Sequence, residues 1–291
     1  MWVVVPHYGD ADITRRAVTG VLAGSVRPDA VLVVDNQGGL PAFDDPHVEV
    51  VRPGDNLGFG GACVLGSRRA LDAGAAWVWL FNNDAEPDRD CLAELLAVGE
   101  AEPRVGLLSP VILHRDRDSF WYAGGDLALR TLQVEHRPRP AQQTPHDVDF
   151  ITGCAWLARR GFIEQCGPVD DSLFMYFEDV DWSLRAHAGG WRTVLVPAAR
   201  AVHDARYEHG RRIFSGLAIY YMTRNRLLLA RRWGHLAPAS VAAVTWGGRQ
   251  LVKSRSAGTA AKVTLAIGAG LWHGAVGRRG PAPPALARLL R

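Results

Sequence analysis

The stretch Trp79-Leu80-Phe81-Asn82-Asn83-Asp84-Ala85-Glu86-Pro87-Asp88 passes abruptly from an apolar run to a carboxylate beside two carboxamides. Residues 77–81 are typical of a buried strand, and Pro87 with Asp88 predicts the start of a helix. Residues 82–84 would then lie at the carboxyl end of the strand, where open α/β sheets bind ligands. A carboxylate there can hold a divalent cation that bridges a diphosphate. The alternative is an Asx turn that caps the helix.

Two apolar segments near the start of the chain predict a parallel sheet. Residues 2–8 and 31–36 both indicate buried strands, and residues 12–24 between them indicate a helix, which together form a βαβ unit. Both strands end in polar residues at the same sheet edge. Asp35 could there accept a hydrogen bond from a base imide or a ribose hydroxyl, so the position predicts a nucleotide pocket.

A glycine-rich segment, Gly58-Phe59-Gly60-Gly61, follows Asn56 and predicts a loop that enters a helix over residues 62–73. Glycines allow close backbone approach to a ligand, and a helix N-terminus favours anions. The P-loop lysine is missing, and no GxGxxG motif follows the first strand, which argues against an NTPase and a nicotinamide enzyme. We assign the segment to shaping the nucleoside pocket.

Seven motifs, in this order, resemble glycosyltransferase family 2 and particularly its rhamnosyltransferase-like members. They are Val4-Val5-Pro6-His7-Tyr8, Val33-Val34-Asp35-Asn36, Asn56-Leu57-Gly58-Phe59-Gly60-Gly61, Asn82-Asn83-Asp84, Thr152-Gly153-Cys154, Phe177-Glu178-Asp179-Val180-Asp181 and Val202-His203. The resemblance covers roughly residues 2–233. It implies an α/β fold of the GT-A type, a nucleotide-sugar-binding domain with a mostly parallel central sheet, and inverting sugar transfer from a nucleoside diphosphate.

The resemblance also implies a donor site and a metal site. The residues expected to bind the nucleoside diphosphate are Pro6, His7, Tyr8, Asp35, Asn56, Gly58 and Asn83. Asp84 and His203 would hold Mn²⁺ or Mg²⁺, of which a neutral imidazole suits Mn²⁺ better. Asn82 stands where many GT-A proteins carry the first acid of an Asp-x-Asp motif. Metal affinity without the nucleotide is therefore expected to be weak.

Three acids begin a predicted helix after Phe177. Acids in a first turn stabilise the helix dipole, which is one interpretation. The resemblance implies another, in which Asp179 is the base that takes the proton from the acceptor hydroxyl while that oxygen attacks C1 opposite the diphosphate. Apolar surroundings would raise its pKa toward working pH. Glu178 and Asp181 would orient the base, hold acceptor hydroxyls or cap the helix, and the sequence leaves these roles open.

Aromatic and basic side chains complete the expected site. Gly153 resembles a position in the family's small-residue strand under the sugar, and Trp156 would stack on a sugar face or lie in the core. Trp121 and Tyr122 could likewise line the acceptor cleft or lie in the core. In residues 220–227, Arg224 or Arg226 could reach the diphosphate or form an exposed helical face.

Composition and cysteine usage fit a globular intracellular protein. With 291 residues, 48% hydrophobic and 22% charged, the chain can bury a large core and form one sizeable domain plus an appendage. Its four cysteines lack paired metal spacing and are typical of reduced core thiols, which predicts a cytoplasmic location. The first residues predict a strand and not a signal peptide.

Charge divides the chain into a predicted catalytic domain, residues 1–204, and a basic, mostly helical region, residues 205–291. The second carries 15 Lys and Arg against one acid, Glu208, and the first carries 18 against 29. Its apolar stretches, 236–248 and 263–272, are too short to span a bilayer. They predict amphipathic helices on an anionic membrane surface. The basic residues expected to face the lipid head groups are Arg249, Lys253, Arg255 and Lys262.

The sequence thus predicts a peripheral enzyme on the inner face of the cell membrane. It would move a sugar, with dTDP-rhamnose the favoured donor, to a cell-envelope glycan or a polyprenyl-linked acceptor. UDP-galactofuranose, UDP-hexoses and GDP-sugars stay open as donors. The alternatives are a non-catalytic nucleotide-binding scaffold of the same fold and, for the basic region, a solvated face or a homo-oligomer interface. No motif for binding nucleic acid accompanies the charge.

Overall fold

The computed structural model describes residues 1–204, 214–254 and 256–291. Within these residues the chain divides into two compact units. The first unit contains residues 1–126, 135–171 and 178–204, and the second contains 127–134, 172–177 and the described residues from 214 onward. The expected boundary at residue 205, together with Glu208 and Arg255, lies outside the described residues.

Twelve strands lie in the described chain. They are β1 (Trp2–His7), β2 (Ala30–Asp35), β3 (Val48–Val51), β4 (Trp77–Phe81), β5 (Ala85–Pro87), β6 (Val105–His114), β7 (Phe120–Tyr122), β8 (Gly125–Ala128), β9 (Gln133–His136), β10 (His146–Asp147), β11 (Ala155–Arg159) and β12 (Arg192–His203). The helices of the first unit are α1 (Ala11–Leu22), α2 (Gly58–Asp72), α3 (Cys91–Ala101), α4 (Arg160–Cys166) and α5 (Glu178–Ala188), and those of the second are α6 (Gly216–Trp233), α7 (Leu236–Val252), α8 (Ala257–Ala275) and α9 (Pro284–Leu290).

The central sheet has the strand order β10-β12-β6-β11-β4-β1-β2-β3, with β5 added beside β12 and β7 beside β6. Strand β1 pairs in parallel with both β2 and β4, and β2 pairs in parallel with β3. Strands β6 and β12 are also parallel, while β11 runs antiparallel between β4 and β6. Four of the seven neighbouring pairs along this order are thus parallel, which confirms the predicted α/β fold with a mostly parallel sheet. The valine-rich runs of β1 and β2 fit this position because both sheet faces are covered.

A glycine allows α2 to lie close against the sheet. A Cβ on Gly66 would come within 2.2 Å of the Val4 side chain, so no larger residue fits without displacing β1. The contact brings the start of α2 to the carboxyl edge of the strands. The glycine-rich segment is the first turn of α2 and not the loop that the sequence predicts. Gly58 there has a φ of +73°, which glycine adopts without strain.

The expected helix start at Pro87 is wrong. Residues 85–87 form strand β5, which pairs antiparallel with Ala201–His203 of β12, and the next helix begins only at Cys91. The reason is a long-range pairing. A three-residue run gains ladder hydrogen bonds from a strand more than a hundred positions away, and no local pattern announces such a partner.

Helix α6 is the core of the second unit, where α7, α8 and α9 all contact it. The helix begins after Ser215, whose side chain accepts a hydrogen bond from the Ala218 amide, and ends at Gly234 in the left-handed conformation. Its middle is buried nearly all round. In the described parts of the chain, no helix combines the length and apolarity needed to cross a membrane.

Candidate active site

A carboxylate and an imidazole meet at the carboxyl edge of the sheet. The β5–β12 pairing sets Ala85 opposite His203, so Asp84 lies beside that histidine, and Asp84 Oδ1 is 3.0 Å from His203 Nε2. Two neighbouring ligands of an octahedral cation, each about 2.1 Å from it, are about 3 Å apart, so the pair fits a hard divalent ion. No cluster of three or more His, Cys, Asp or Glu suited to a metal occurs among the described residues.

The Asp84 carboxylate is held ionised by its neighbours. Burial alone would raise the pKa of Asp84, but the hydrogen bond and charge of His203 and the Asn82 side chain outweigh it, and the pKa lies below its usual value. The Asn82 side-chain NH₂ therefore donates to Asp84. The Asn82 Oδ1 is buried without a partner among the described residues. Asn82, which stands where an Asp-x-Asp motif has its first acid, thus stabilises the Asp84 carboxylate.

One of the two aromatic residues expected at the acceptor cleft lies beside this pair. The Trp121 ring packs edge-on against His203, with the ring centroids 4.4 Å apart. Both Trp121 Nε1 and His203 Nδ1 are buried without a hydrogen-bond partner within the described chain. Tyr122 instead lies in the core, where its hydroxyl donates to the Phe150 carbonyl at 2.7 Å.

Three polar residues join the ends of β1 and β4. His7 Nδ1 lies 2.6 Å from Thr14 Oγ1, and Asn83 Nδ2 donates to the same hydroxyl at 2.9 Å. Burial lowers the pKa of His7 despite the opposing effect of Asp35, so the imidazole is neutral at pH 7. Pro6 is buried within β1, whereas Tyr8 is 55% exposed at the rim.

Thr14 was not anticipated from the sequence. It is fully buried on α1. The available signal was its position, because residues 14, 17, 18 and 21 form the buried stripe of this helix and only the first is polar. A polar residue on an apolar stripe needs a partner, and here it has two.

The expected role of Asp35 in base recognition is wrong for this conformation. Its side chain is fully buried, Oδ1 accepts from the amides of residues 37 and 38, and Oδ2 accepts from the amide of Leu40. Burial would raise the pKa of Asp35, but these amides outweigh it and lower the pKa. Asp35 therefore folds the loop over residues 36–40, and neither oxygen is accessible to a base.

Two asparagines hold the start of α2. Asn56 Oδ1 accepts from the Gly58 amide at 2.8 Å. Asn36 donates to the Gly58 carbonyl and accepts from the Leu57 amide. Asn36 belongs to the second motif but was given no separate role by the sequence. These contacts fix the first turn of α2 at the same sheet edge.

The acid cluster divides into three environments. Asp179 is half-buried, and its carboxylate accepts from the amides of Val180 at 2.8 Å and Gly153 at 3.4 Å. Burial raises the pKa of Asp179 to about 6, against the opposing effect of these amides. Burial and the charge of Asp179 raise the pKa of Glu178 well above its usual value. Its Oε2 has no partner among the described residues.

Asp181 does not face a ligand. It is fully buried and accepts from Arg185 Nε at 2.7 Å, one helical turn along α5. The expectation that it holds acceptor hydroxyls is therefore wrong, because its carboxylate neutralises a partly buried guanidinium.

Trp156 lies in the core and not on a sugar-binding surface. It is 1% exposed, and its ring packs against those of Phe59 and Trp182. A Cβ on Gly153 would come within 3.0 Å of the Trp156 ring, so a larger residue would fit only if the ring shifted by a few tenths of an ångström. The stacking role expected of Trp156 is wrong for this structure, since no face of the ring is accessible.

Arg224 is a structural residue of the second unit. It is fully buried and donates to the carbonyls of Leu173 and Gly280 and to the Asn225 side chain. The expected contact with a diphosphate is wrong, because the Arg224 side chain is fully buried and each of its three nitrogens already donates to a group of the second unit. Arg226 is also buried, over the Phe177 ring, and burial lowers its pKa to about 10.

The fold and this site define a glycosyltransferase of the GT-A class. Residues 1–226 match the family described as Glycosyltransferase like family 2, and the chain belongs to this family. The predicted family and fold are thereby confirmed.

Curated relatives and a solved structure agree with this assignment. The chain is 29% identical over 265 residues to the N-acetylglucosaminyl-diphospho-decaprenol L-rhamnosyltransferase of Mycobacterium tuberculosis, across 80% of this chain and 85% of that protein. It is 24% identical over 212 residues to the dTDP-rhamnosyl transferase RfbF of Shigella flexneri, across 69% and 71%. GalNAc-T7, crystallised with UDP, GalNAc and Mn²⁺, aligns with a TM-score of 0.59 at 16% identity. That match covers 83% of this chain and 53% of GalNAc-T7, so this chain spans about half its length.

Proposed function

We propose that this protein is a metal-dependent inverting rhamnosyltransferase that transfers rhamnose from dTDP-rhamnose to a polyprenyl-linked acceptor of the cell envelope. The observation that carries the proposal is the arrangement of two carboxylates about residues 153–154: the Asn82 main-chain amide beside the Asp84–His203 pair donates to the Cys154 carbonyl, and the neighbouring Gly153 amide donates to Asp179. The names of the mycobacterial and Shigella relatives support the donor sugar, and that of the mycobacterial relative supports the acceptor.

Asp84 and His203 would hold Mn²⁺ or Mg²⁺, which supplies positive charge to the diphosphate as the bond to the sugar breaks. Because only Asp84 and His203 would hold the metal among the described residues, metal affinity is expected to depend on the bound nucleotide. Asn83, with the neighbouring Tyr8 and the first turn of α2, borders the donor pocket. The 3.0 Å spacing of the two ligands supports this assignment.

Asp179 is the base. Its carboxylate is fixed by two main-chain amides, and with a pKa of about 6 it is ionised at pH 7 yet remains basic enough to accept a proton from the acceptor hydroxyl. The acceptor oxygen attacks C1 opposite the diphosphate and inverts the configuration there.

A nucleotide panel followed by a transfer assay tests the proposal. The melting temperature of the purified protein should rise most with dTDP in the presence of Mn²⁺, because ligand at about 100 times its Kd stabilises by about 2.7 kcal/mol. The matched controls are UDP with Mn²⁺, GDP with Mn²⁺, and dTDP with a chelator. Transfer is then measured with dTDP-rhamnose and a polyprenyl-diphospho-N-acetylglucosamine. Binding of dTDP without transfer or hydrolysis would favour the nucleotide-binding scaffold, and stabilisation by UDP or GDP alone would change the donor.

The second unit supports peripheral attachment to the cytoplasmic face of the membrane. Its described residues include no Asp or Glu, while Arg249, Lys253 and Lys262 are exposed. Helix α7 exposes an apolar stripe formed by Val241, Val244 and Val252. Helix α8 exposes Leu265 and Trp272, and its C-cap residue Val276 is also exposed. An anionic bilayer complements both the charge and the apolar side chains. Arg255, expected to join this surface, lies outside the described residues.

Membrane attachment predicts flotation with anionic vesicles. Vesicles of phosphatidylglycerol and phosphatidylcholine should carry the protein upward in a density gradient, less so at high salt, since each nearby Lys or Arg contributes about 1 kcal/mol. The double variant Val244→Asp, Trp272→Asp should lose roughly tenfold or more in vesicle affinity, because each apolar side chain contributes about 1.5–3 kcal/mol when buried. Truncation near residue 235 is a poorer test, because α7 and α8 cover α6.

The control is Leu129→Asp, a charge placed on another exposed apolar residue. It should float like the wild type, and all three proteins should bind dTDP equally. If the wild type does not float, the attachment proposal fails. A change in oligomeric state in the double variant alone would assign the apolar stripes to a homo-oligomer interface.

A further inference from the structure

The orientation of the Asn83 carboxamide is fixed by a main-chain carbonyl. Asn83 Nδ2 lies 3.4 Å from the Tyr8 carbonyl oxygen and 2.9 Å from Thr14 Oγ1. A carbonyl oxygen can only accept, so the group that faces it must be the NH₂ and not the oxygen. The Asn83 Oδ1 therefore points away from both partners. Asn83 as a whole is half-buried.

The Thr14 hydroxyl also contacts His7. Thr14 Oγ1 lies 2.6 Å from His7 Nδ1, and His7 Nε2 lies 3.9 Å from Asp35 Oδ1. A threonine hydroxyl has one proton and two lone pairs, so it can accept from Asn83 and still form a hydrogen bond with the imidazole. Thr14 on α1 therefore links Asn83, which follows β4, to His7 at the end of β1.

Thr14 cannot touch a ligand, because it is fully buried. We propose that Thr14 is a positioning residue, which holds the Asn83 amide with its oxygen toward the nucleoside diphosphate and so presents a fixed hydrogen-bond acceptor to a hydroxyl of that ligand. The inference rests on the proposed function, since it takes the ligand to be a nucleoside diphosphate. Without Thr14, the Asn83 carboxamide could rotate and present either its NH₂ group or its oxygen to the ligand. Ligand binding would then have to select the orientation with the oxygen outward.

Thr14→Val is the direct test. Valine has nearly the shape of threonine but leaves both Asn83 Nδ2 and His7 Nδ1 without the hydroxyl. We expect the Kd for dTDP with Mn²⁺, measured by calorimetry, to rise about tenfold, as loss of a buried hydrogen-bond partner typically does. Thr14→Ser keeps the hydroxyl and should restore most of the affinity.

A double-mutant cycle distinguishes positioning from a general structural effect. Asn83→Ala removes the amide through which Thr14 acts, so adding Thr14→Val to Asn83→Ala should raise the Kd no further. Equal effects of Thr14→Val in both backgrounds would overturn the proposal, and so would wild-type affinity in Thr14→Val. Failure of the wild type to bind dTDP, UDP or GDP would instead reject the proposed function.

Should Thr14→Val fail to fold, Asn83→Asp tests the same contact. This nearly isosteric change places a carboxylate oxygen against the Tyr8 carbonyl, where only a donor is tolerated. We expect a loss of at least tenfold in dTDP affinity, with the melting temperature of the ligand-free protein little changed. Wild-type affinity in Asn83→Asp would overturn the proposal.

Discussion

Replacing Asp84 with Asn should lower kcat/KM for sugar transfer by roughly a hundredfold or more and remove most of the Mn²⁺-dependent gain in donor affinity. A carboxamide is neutral and binds a hard cation weakly, so His203 would be left as the single charged or strongly coordinating ligand of the pair. The fold should persist, because Asp84 lies on a turn with its side chain 37% exposed. Initial rates across a Mn²⁺ titration, with dTDP calorimetry in Mn²⁺ and in chelator, measure both effects.

Asp88→Asn is the matched control for this change. It is the same substitution four residues later, and it weakens a surface ion pair with Arg117, worth at most about 1 kcal/mol. We expect near-wild-type rates. If Asp84→Asn transferred sugar at the wild-type rate in the presence of chelator, the assignment of the metal site would be wrong.

Asp179→Asn should reduce kcat by roughly a hundredfold or more while the Kd for donor stays nearly unchanged, because loss of a general base acts in the transition state. The pH profile gives a second readout. A base with a pKa of about 6 is ionised above that pH and protonated below it, so wild-type kcat should fall as the pH drops through about 6. Asp179→Asn should lack this acidic limb.

Asp171→Asn, an exposed aspartate shortly before α5, controls for loss of charge near the helix. It should keep both the rate and the acidic limb. Normal turnover with weakened donor binding in Asp179→Asn would remove Asp179 from the base role and assign it to the donor.

The sequence predicts a strand of this fold well when the apolar pattern of that strand alone shows that it is buried. Strands β1, β2 and β4 are continuous apolar runs, and such runs indicate buried parallel strands without reference to any partner. Strand β5 could not be found in this way. Three residues carry too little pattern, and what makes them a strand is the partner β12, itself displaced by an irregularity between Val196 and Arg200.

The site shows a similar limit. The sequence identifies which polar residues stand at the sheet edge, but not which of them are already satisfied by the protein. The Asp35 carboxylate already accepts hydrogen bonds from the amides of its own loop, and the Asp181 carboxylate accepts one from Arg185. Thr14 went unnoticed because a single hydroxyl on a helix is informative only once its partners are known. Loop conformation and helix packing decide these cases.

The distance along the chain between Asp84 and His203 also bears on synthesis. The two residues proposed to hold the metal are separated by 119 positions, and β12, which carries His203, is the last of the described strands in the sheet. At about 5–20 residues per second, a ribosome needs roughly 6–24 seconds to make the interval between them. A nascent chain in that interval displays Asp84 but lacks its partner. The growing polypeptide should therefore be unable to retain a metal-bound donor until nearly the whole sheet has emerged.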